Sequence, residues 1–544
     1  MLKKTVLVAA VAAAAGSAEA AKEKNIDLEV IGTFETGVFD EGAAEIVSYD
    51  PVTQRLFVIN ADAKTVDVLD ISDPTTPTLV FAIDVSADVM DSGGVNSVAV
   101  SKNGVVGVAV ENDDKQANGW AAFYDTDGNF LGSVPAGALP DAITFTPDGR
   151  YALLANEGEP NDTYSIDPEG SVTIVNLSRG VTQATTVQAD FTAFNGQALP
   201  TGLRAPRPYG ATIAQDLEPE FIATSPDSRT AWVTLQENNG LAVVDIRAGV
   251  ITGLVGLGAK DHSVVGNGLD ASNDDGMINI QNWPTNGLYM PDTISSFRTL
   301  GTTYLITANE GDGREYGYEI EEGATMADVM ACEALIATSG GFNNGEADFD
   351  DQDNMDPADD SLECIVYLDE IRIKDMTLDA TVFPNAAMLQ MNENLGRLKA
   401  VGTEGDDGED GDWETLYNYG ARSFTIWSTN GEVVFDSGDI MEQVTALAFP
   451  ENFNSTNDEN DTFDNRSDDK GPEPEAAVVG KAFGRQYAFV ALERIGGIMV
   501  FDVTRPEESR YVNYINNRDF TAPNNSDDNL EGQDAGDLGP EGLT

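Results

Sequence analysis

The residues with the clearest chemical potential are acidic and amide side chains that recur at one position of a repeated unit. Seven of them stand where the first strand of each unit begins, and five directly follow a proline. They are Glu45, Asn96, Asp141, Glu220, Asp292, Glu475 and Glu541. Six of the seven are acidic, whereas Asp and Glu together account for 93 of the 544 residues. Chance placement does not favour such a pattern.

A second set of polar residues stands where the second strand of each unit ends. Its members are Asn60 and Asp62, Glu111 and Asn112, Asn156 and Glu157, Gln236 and Glu237, Asn309 and Glu310, and Glu493. In an antiparallel meander the second strand returns to the side on which the first began. The two sets are therefore predicted to form two acidic rings at one end of a shared channel.

Crowded carboxylates indicate a metal site, because like charges raise one another's pKa and a bound cation relieves the repulsion. Oxygen ligands in irregular sets favour calcium, and a single histidine does not favour zinc. The predicted metal ligands are Glu157, Glu159, Glu220, Asp292, Glu310, Glu475, Glu493 and Glu541. The alternative is that these are proline–acid turns facing salty water.

A few basic residues stand close to these acidic positions. Lys260, Arg314 and Arg494 are the candidate catalytic residues, and Lys470 lies in a similar context. Such cations could hold an anionic substrate against bound metal. Equally, each could neutralise a neighbouring carboxylate.

The elements that must position these residues are short alternating strands in groups of four. Units cover 44–85, 96–137, 141–191 and 220–257, each with a tight turn after its first strand. A fifth opens at 292–312 and closes at 421–438, around an acidic insertion at 315–415. The sixth starts at either "TALAFPENF" or "EAAVVG", beside an acidic loop at 451–474. Four strands every 45–50 residues or so predict an all-β fold, a β-propeller over 21–544.

The closure of the ring is predicted from the two chain ends. "GPEGLT" starts a seventh unit at the last residues, and the strand "IDLEVIGTFE" at 26–35 could supply its outermost strand. We therefore expect seven blades, with the last incomplete in this chain and closed by the N-terminal strand. The alternative is a ring of six.

Several features predict secretion to the periplasm, the cell surface or the medium. Lys3 and Lys4, an apolar run and "AEA" resemble a cleaved signal peptide over 1–20, with an uncleaved anchor as the alternative. Cys332 and Cys364 favour a local disulfide in an oxidising compartment over a pair of metal thiolates. The net charge of −63 excludes nucleic acid as a partner, although salt adaptation alone could explain much of it. No later stretch is long enough to span a membrane.

Several long strings resemble a known group. "LEPEFIATSPDSRTAWVTLQENNGLAVVDI", "LITANEGDGREY" and "NRSDDKGPEPE" are similar to the choice-of-anchor I family of secreted bacterial propellers. They are also similar to mesenchyme-specific cell-surface glycoproteins. The resemblance implies the propeller fold, and it implies an alkaline phosphatase-like activity only through the label that many members carry. Calcium-dependent phytases, which are acidic propellers with metals at the channel mouth, offer a fold-level analogy.

Two functions follow from one site. The first is a calcium-dependent phosphohydrolase, a phosphomonoesterase acting on a phosphorylated small molecule at the acidic mouth. The second is a non-catalytic calcium-binding protein of the cell surface or extracellular matrix, with a surface component as partner. A Ser-His-Asp triad, a phosphate-binding glycine loop and a dinucleotide motif are all absent from the sequence.

Overall fold

The protein is described by a computed structural model that covers residues 26–39, 42–320, 323–350, 361–408, 410–526 and 529–544. The signal peptide expected at 1–20 lies outside the described residues.

Six four-stranded antiparallel sheets follow one another along the chain, each with its strands in sequential order. Blade one consists of Val47–Asp50, Arg55–Asn60, Thr65–Asp70 and Thr78–Asp84. Blade two consists of Ser92–Val100, Val105–Asn112, Asn118–Asp125 and Phe130–Ala138. Blade three consists of Pro140–Phe145, Tyr151–Asn156, Ser171–Asn176 and Thr185–Asp190.

The remaining blades follow the same plan. Blade four consists of Ile222–Thr224, Thr230–Leu235, Gly240–Asp245 and Val250–Gly256. Blade five consists of Ile294–Thr299, Thr302–Asn309, Ser423–Ser428 and Val433–Asp436. Blade six consists of Pro474–Ala482, Arg485–Leu492, Ile498–Asp502 and Arg510–Ile515. This arrangement confirms the predicted all-β propeller.

The strand pattern explains how each blade is buried. The second and third strands, such as Tyr151–Asn156 and Ser171–Asn176, are rich in β-branched and aliphatic residues and are buried on both faces. The fourth strand is largely exposed, as in Thr185–Asp190. A continuous apolar run suits a central strand, and a polar strand suits the outer edge.

Apolar clusters join each blade to the next. Phe57 of blade one and Val106 of blade two belong to one cluster, and further clusters link blades two to three, three to four, four to five and five to six. The hydrophobic effect therefore acts between sheets, as it does in a ring of packed blades.

The segment 26–39 and the last residues of the chain lie between blade six and blade one. Asn513 of blade six donates a hydrogen bond to Asp27, at 3.0 Å, and a Cβ on Gly32 would lie 2.1 Å from the Pro74 carbonyl oxygen in blade one. From the other end of the chain, Gly542 packs on the backbone of Glu45. Residues 26–39 contain no strand, so the segment expected as a strand makes no sheet pairing.

The acidic insertion lies in the chain between the second and third strands of blade five. It contains a three-stranded sheet, Glu315–Ile320, Ser361–Leu368 and Ala347–Asp350. A five-stranded sheet joins it to the preceding loop through Ala259–Asp261, Asn286–Leu288, Tyr417–Asn418, Lys399–Val401 and Glu370–Arg372.

Helices are few in the described part of the chain. The α-helices are Ile213–Asp216, Met326–Ile336, Ala386–Leu389 and Ile440–Ala448. The last of these contains "TALA", so the first of the two possible starts of the sixth unit is wrong and "EAAVVG" is its first strand. No helix among the described residues is long and apolar enough to cross a membrane.

The expected disulfide is present. Cys332 on helix Met326–Ile336 is bonded to Cys364 on strand Ser361–Leu368, at a sequence separation of 32. The bond therefore ties the helix of the insertion to its central strand.

Removal of this bond is expected to destabilise the insertion. Replacing both cysteines by serine opens the loop that the disulfide closes, at a sequence separation of 32. The loop-closure entropy predicts that this lowers the free energy of unfolding by about 3–4 kcal/mol. Limited proteolysis should then cut within 315–415 faster in the double variant than in wild type. Reductant should accelerate cleavage of wild type only, and equal cleavage rates would contradict a stabilising role.

Candidate carboxylate centre

Antiparallel pairing brings the two sets of acidic residues to one end of the blades. In blade three Asn156 pairs with Pro140, and in blade six Leu492 pairs with Pro474. The residues that follow these strand ends, Glu157 and Glu493, therefore lie beside Asp141 and Glu475, which are the second residues of the first strands.

The first carboxylate cluster joins blades three and four. Asp141, Glu157 and Glu220 each offer an oxygen atom, and these oxygens lie within 4.8 Å of one another. Burial raises the pKa of Asp141 to about 7, and the charge of Glu159 adds to that shift. Burial and neighbouring carboxylates raise the pKa values of Glu157 and Glu220 well above the usual range.

A second cluster joins blades five and six. Asp292, Glu310 and Glu475 bring oxygens within 4.8 Å of one another, and Glu310 also groups with Glu473 and Glu493 in the same way. Burial raises the pKa of Glu493 to about 8, and burial followed by the charge of Glu310 raises that of Glu475 well above its usual value. Gln236 of blade four donates a hydrogen bond to Glu310 at 2.9 Å.

The two clusters are electrostatically continuous. After burial, the charge of Glu157 contributes most to the raised pKa of Glu220, and Asp292 also contributes. Asp141 in turn acts on Asp292. The carboxylates thus share one polar space at the ends of blades three to six.

Two further acids with raised pKa values, Glu45 and Glu541, lie near the start of blade one. Burial raises the pKa of Glu45 to about 7, and the charge of Glu541 adds to it. Burial also raises the pKa of Glu541. Glu159, the remaining predicted ligand, accepts a hydrogen bond from Tyr316 at 3.3 Å and acts on both Asp141 and Glu157.

Three cations converge on one buried glutamate beside the second cluster. Glu473 is fully buried, and its oxygens lie 2.9 Å from Lys470, 3.2 Å from Arg494 and 3.3 Å from Arg466. Burial alone would raise the pKa of Glu473, but the three cations lower it to about 2. Lys470 also contacts Glu310 at 2.6 Å, so positive charge directly adjoins the carboxylate cluster.

The predicted cations differ in their surroundings. Arg494 keeps 27% of its side chain exposed and also contacts Glu493 at 3.2 Å. Arg314 is buried between Asp216, at 3.1 Å, and Glu218, at 2.8 Å. Lys260 donates to the carbonyls of Ala421 and Gly438, at 2.7 and 2.8 Å.

These contacts distinguish Arg494, which lies beside the second carboxylate cluster, from Arg314 and Lys260. Lys260 also lies 3.3 Å from Asp436 in blade five, and none of these partners belongs to the carboxylate clusters. Arg314 and Lys260 therefore have the contacts expected of structural cations that neutralise neighbouring groups. This is one of the two roles that the sequence left open for them.

Glu473 was not identified from the sequence. The repeat register selected Glu475 in "KGPEPE" and passed over the acid two residues earlier. Glu473 has a φ of +55°, a conformation that non-glycine residues rarely adopt. The sequence feature that could have indicated its role is the group of three basic residues, two of which lie in the preceding acidic loop.

The donor set at the mouth fits a hard cation. All ligand atoms in the two clusters are carboxylate oxygens, and buried oxygens of Glu237 and Glu475 have no hydrogen-bond partner. Buried carboxylates without partners are costly unless they are protonated or bind a metal.

Comparison with known proteins identifies the family. The model of the choice-of-anchor I domain matches residues 45–506. The chain belongs to the choice-of-anchor I family. The match spans blades one to five, the first three strands of blade six and both acidic clusters, while strand Arg510–Ile515 and Glu541 lie beyond it.

Two curated proteins share sequence with this family member. Gigasin-3a of Magallana gigas is 38% identical over 118 residues, which cover 21% of this chain and 41% of that protein. A mesenchyme-specific cell surface glycoprotein of Strongylocentrotus purpuratus is 25% identical over 307 residues, covering 54% and 35%. The matched parts are thus about two fifths and one third of these relatives.

Solved structures give only a distant likeness. The β-propeller domain of Cps50 (Swd1) from Myceliophteria thermophila is 12% identical, with a TM-score of 0.29 over 53% of this chain and 68% of that one. A protein from Lactobacillus plantarum is 15% identical, with a TM-score of 0.30 over 50% and 66%. Similarity at this level carries no functional argument.

The raised pKa values predict how stability depends on pH without metal. Because these carboxyl groups have higher pKa values folded than unfolded, their contribution is complete below about pH 4 and is lost as the pH rises through 7 to 8. The melting temperature in chelator should therefore fall between pH 5.5 and 8.5. Glu475→Gln should raise it by about 2 °C or more at pH 8.5.

The matched control is Glu432→Gln, which removes one charge from an exposed turn of blade five. This variant should follow the wild-type pH dependence. A melting temperature that is flat or rising over the same interval in wild type would contradict repulsion among the clustered carboxylates.

Proposed function

We propose that this protein binds calcium at the acidic end of its propeller channel and uses it as a calcium-dependent phosphohydrolase. The observation that carries the proposal is the pair of carboxylate clusters, Asp141–Glu157–Glu220 and Asp292–Glu310–Glu475, each with oxygens within 4.8 Å. Calcium accepts six to eight oxygen ligands in irregular geometry, which suits such clusters better than the demands of magnesium or zinc.

An extracellular or cell-surface location supports calcium as the ion. The family assignment, a cell surface glycoprotein among the relatives and the Cys332–Cys364 disulfide all agree with that location. Calcium is abundant outside cells, where sites of modest affinity are occupied.

The phosphohydrolase part of the proposal rests on the cations beside the second cluster. Bound calcium would polarise phosphate oxygens and lower the pKa of an attacking water. Arg494 and Lys470 would balance negative charge on the phosphoryl group. Glu473 would hold both cations in place, because it contacts each of them from a fully buried position.

A second candidate function is a non-catalytic calcium-binding surface protein. The observation that favours it is that the basic residues already pair with groups of the protein. Arg314 and Lys260 are buried and contact carboxylates and carbonyls, and Lys470 contacts Glu310. In that case calcium would brace adjacent blades and no phosphate would enter the mouth.

Calcium binding at the mouth is tested by calorimetric titration of chelator-treated protein at pH 7.5. Glu157→Gln and Glu475→Gln should each weaken binding about tenfold or more, because each removes a charged ligand. Glu432→Gln, with the same loss of charge away from the mouth, should bind as wild type does. Unchanged affinity in both mouth variants would refute the site.

Hydrolysis is tested with aryl phosphate mono- and diesters in the presence of calcium and of chelator. Wild type should be active only with calcium, and Arg494→Gln should lower kcat by about 10²-fold while calcium binding persists. The control is Arg485→Gln, since Arg485 pairs with Asp502 in blade six. Calcium binding without hydrolysis in wild type would exclude the enzyme and leave the non-catalytic function.

A further inference from the structure

Four tyrosines join the insertion of blade five to a loop of blade three that ends at the channel mouth. The loop is 157–170, between the second and third strands of blade three. The ring centroid of Tyr164, in this loop, lies 4.8 Å from that of Tyr209, in the segment before blade four. It also lies 5.2 Å from Tyr316 and 5.8 Å from Tyr367, which are cross-strand partners in the three-stranded sheet of the insertion.

Tyr164 is held in a conformation that tyrosine rarely adopts. Its φ is +53°, in the left-handed region, which costs free energy in a residue with a bulky side chain. Its N–H donates to the carbonyl of Asn161 at 2.7 Å. The side chain of Asn161 in turn accepts from the N–H groups of Ser165, at 2.9 Å, and Ile166, at 3.1 Å. These bonds fix the turn from which the Tyr164 ring reaches the other tyrosines.

Tyr209 connects this cluster to the disulfide-bonded part of the insertion. Its hydroxyl oxygen lies 3.2 Å from the carbonyl oxygen of Leu335 and 3.0 Å from that of Val366. Leu335 belongs to the helix, and Val366 to the strand, that the Cys332–Cys364 bond joins. Tyr209 also packs against the apolar cluster that contains both cysteines. The support behind Tyr164 is therefore the part of the insertion that the disulfide closes.

Tyr316 connects the same cluster to the mouth. Its hydroxyl donates to Glu159 at 3.3 Å, and its ring packs edge-on against Tyr164. Glu159 lies two residues beyond Glu157 in the loop, and its charge acts on both Asp141 and Glu157 of the first carboxylate cluster. A hydrogen bond to a carboxylate orients it, so Tyr316 fixes where the charge of Glu159 lies at the mouth.

We propose that Tyr164 is a positioning residue, which fixes the loop 157–170 on the insertion and thereby holds Glu159 where it strengthens calcium binding by the first cluster. This inference rests on the proposed binding of calcium at the mouth. Groups that orient a metal ligand typically change metal affinity about 10- to 100-fold. The insertion is thus part of the calcium site, although the three carboxylates of the first cluster all come from outside it.

The test measures calcium affinity by calorimetry in the Glu475→Gln background, which leaves the first cluster complete. Tyr164→Ala should weaken this binding about tenfold, whereas Tyr164→Phe keeps the ring and should restore the affinity of the background protein. Tyr316→Phe, which removes only the hydroxyl group, should also weaken binding. The matched control is Tyr511→Ala, which removes an aromatic contact with Phe501 in blade six and should leave the affinity unchanged.

A second background separates positioning from a general loss of stability. In Glu157→Gln, calcium bound by the second cluster should not respond to Tyr164→Ala, and equal weakening at both clusters would overturn the inference. Equal affinity of Tyr164→Ala and Tyr164→Phe, in a background that binds calcium, would overturn it while leaving the proposed function in place. Absence of calcium binding by wild type would refute the proposed function and this inference with it.

Hydrogen–deuterium exchange in calcium-free protein tests the same contact if Tyr164→Ala does not fold. Replacement of both cysteines by serine should speed amide exchange in 157–170 as well as in the insertion, because Tyr209 links the two. The turn at 246–249 of blade four should exchange as it does in wild type. Unchanged exchange in 157–170 would overturn the proposal.

Discussion

Repulsion among crowded, largely half-buried carboxylates is the interaction on which the rest of this account depends. Blades three to six each place acids where the first strand begins or the second ends, and the ring brings them within a few ångströms of one another. Low dielectric strengthens that repulsion, so the folded chain must protonate these groups or bind a cation.

Three basic side chains partly offset this repulsion. Glu473 gathers Lys470, Arg494 and Arg466, and its depressed pKa contrasts with the raised pKa of Glu475 two residues away. The two glutamates differ because one has three cationic neighbours and the other faces Asp292, Glu310 and Glu493. This juxtaposition of fixed positive charge and uncompensated negative charge is what a site for metal and anion requires.

The repeat made the blades and many of the mouth residues predictable. Asp141, Glu220, Asp292 and Glu475 occupy equivalent positions in successive units, and antiparallel pairing then dictates that Glu157, Glu310 and Glu493 lie nearby. The disulfide was also predictable, because only two cysteines exist.

Contacts made by loops were not predictable in the same way. The partners of Arg314 and Lys260 come from segments far away in sequence, and no periodic pattern encodes them. Glu473 lies in a turn outside the strand register, so its role depends on where the acidic loop folds back. The end of the ring likewise depends on long-range packing: the expected strand at 26–35 lies against blades one and six without sheet pairing.

Anomalous diffraction from crystals grown with calcium tests the central claim most directly. The account predicts calcium density between Asp141, Glu157 and Glu220 and between Asp292, Glu310 and Glu475, with carboxylate oxygens at about 2.3–2.6 Å. Absence of density at both positions, in crystals equilibrated with millimolar calcium above pH 8, would contradict it.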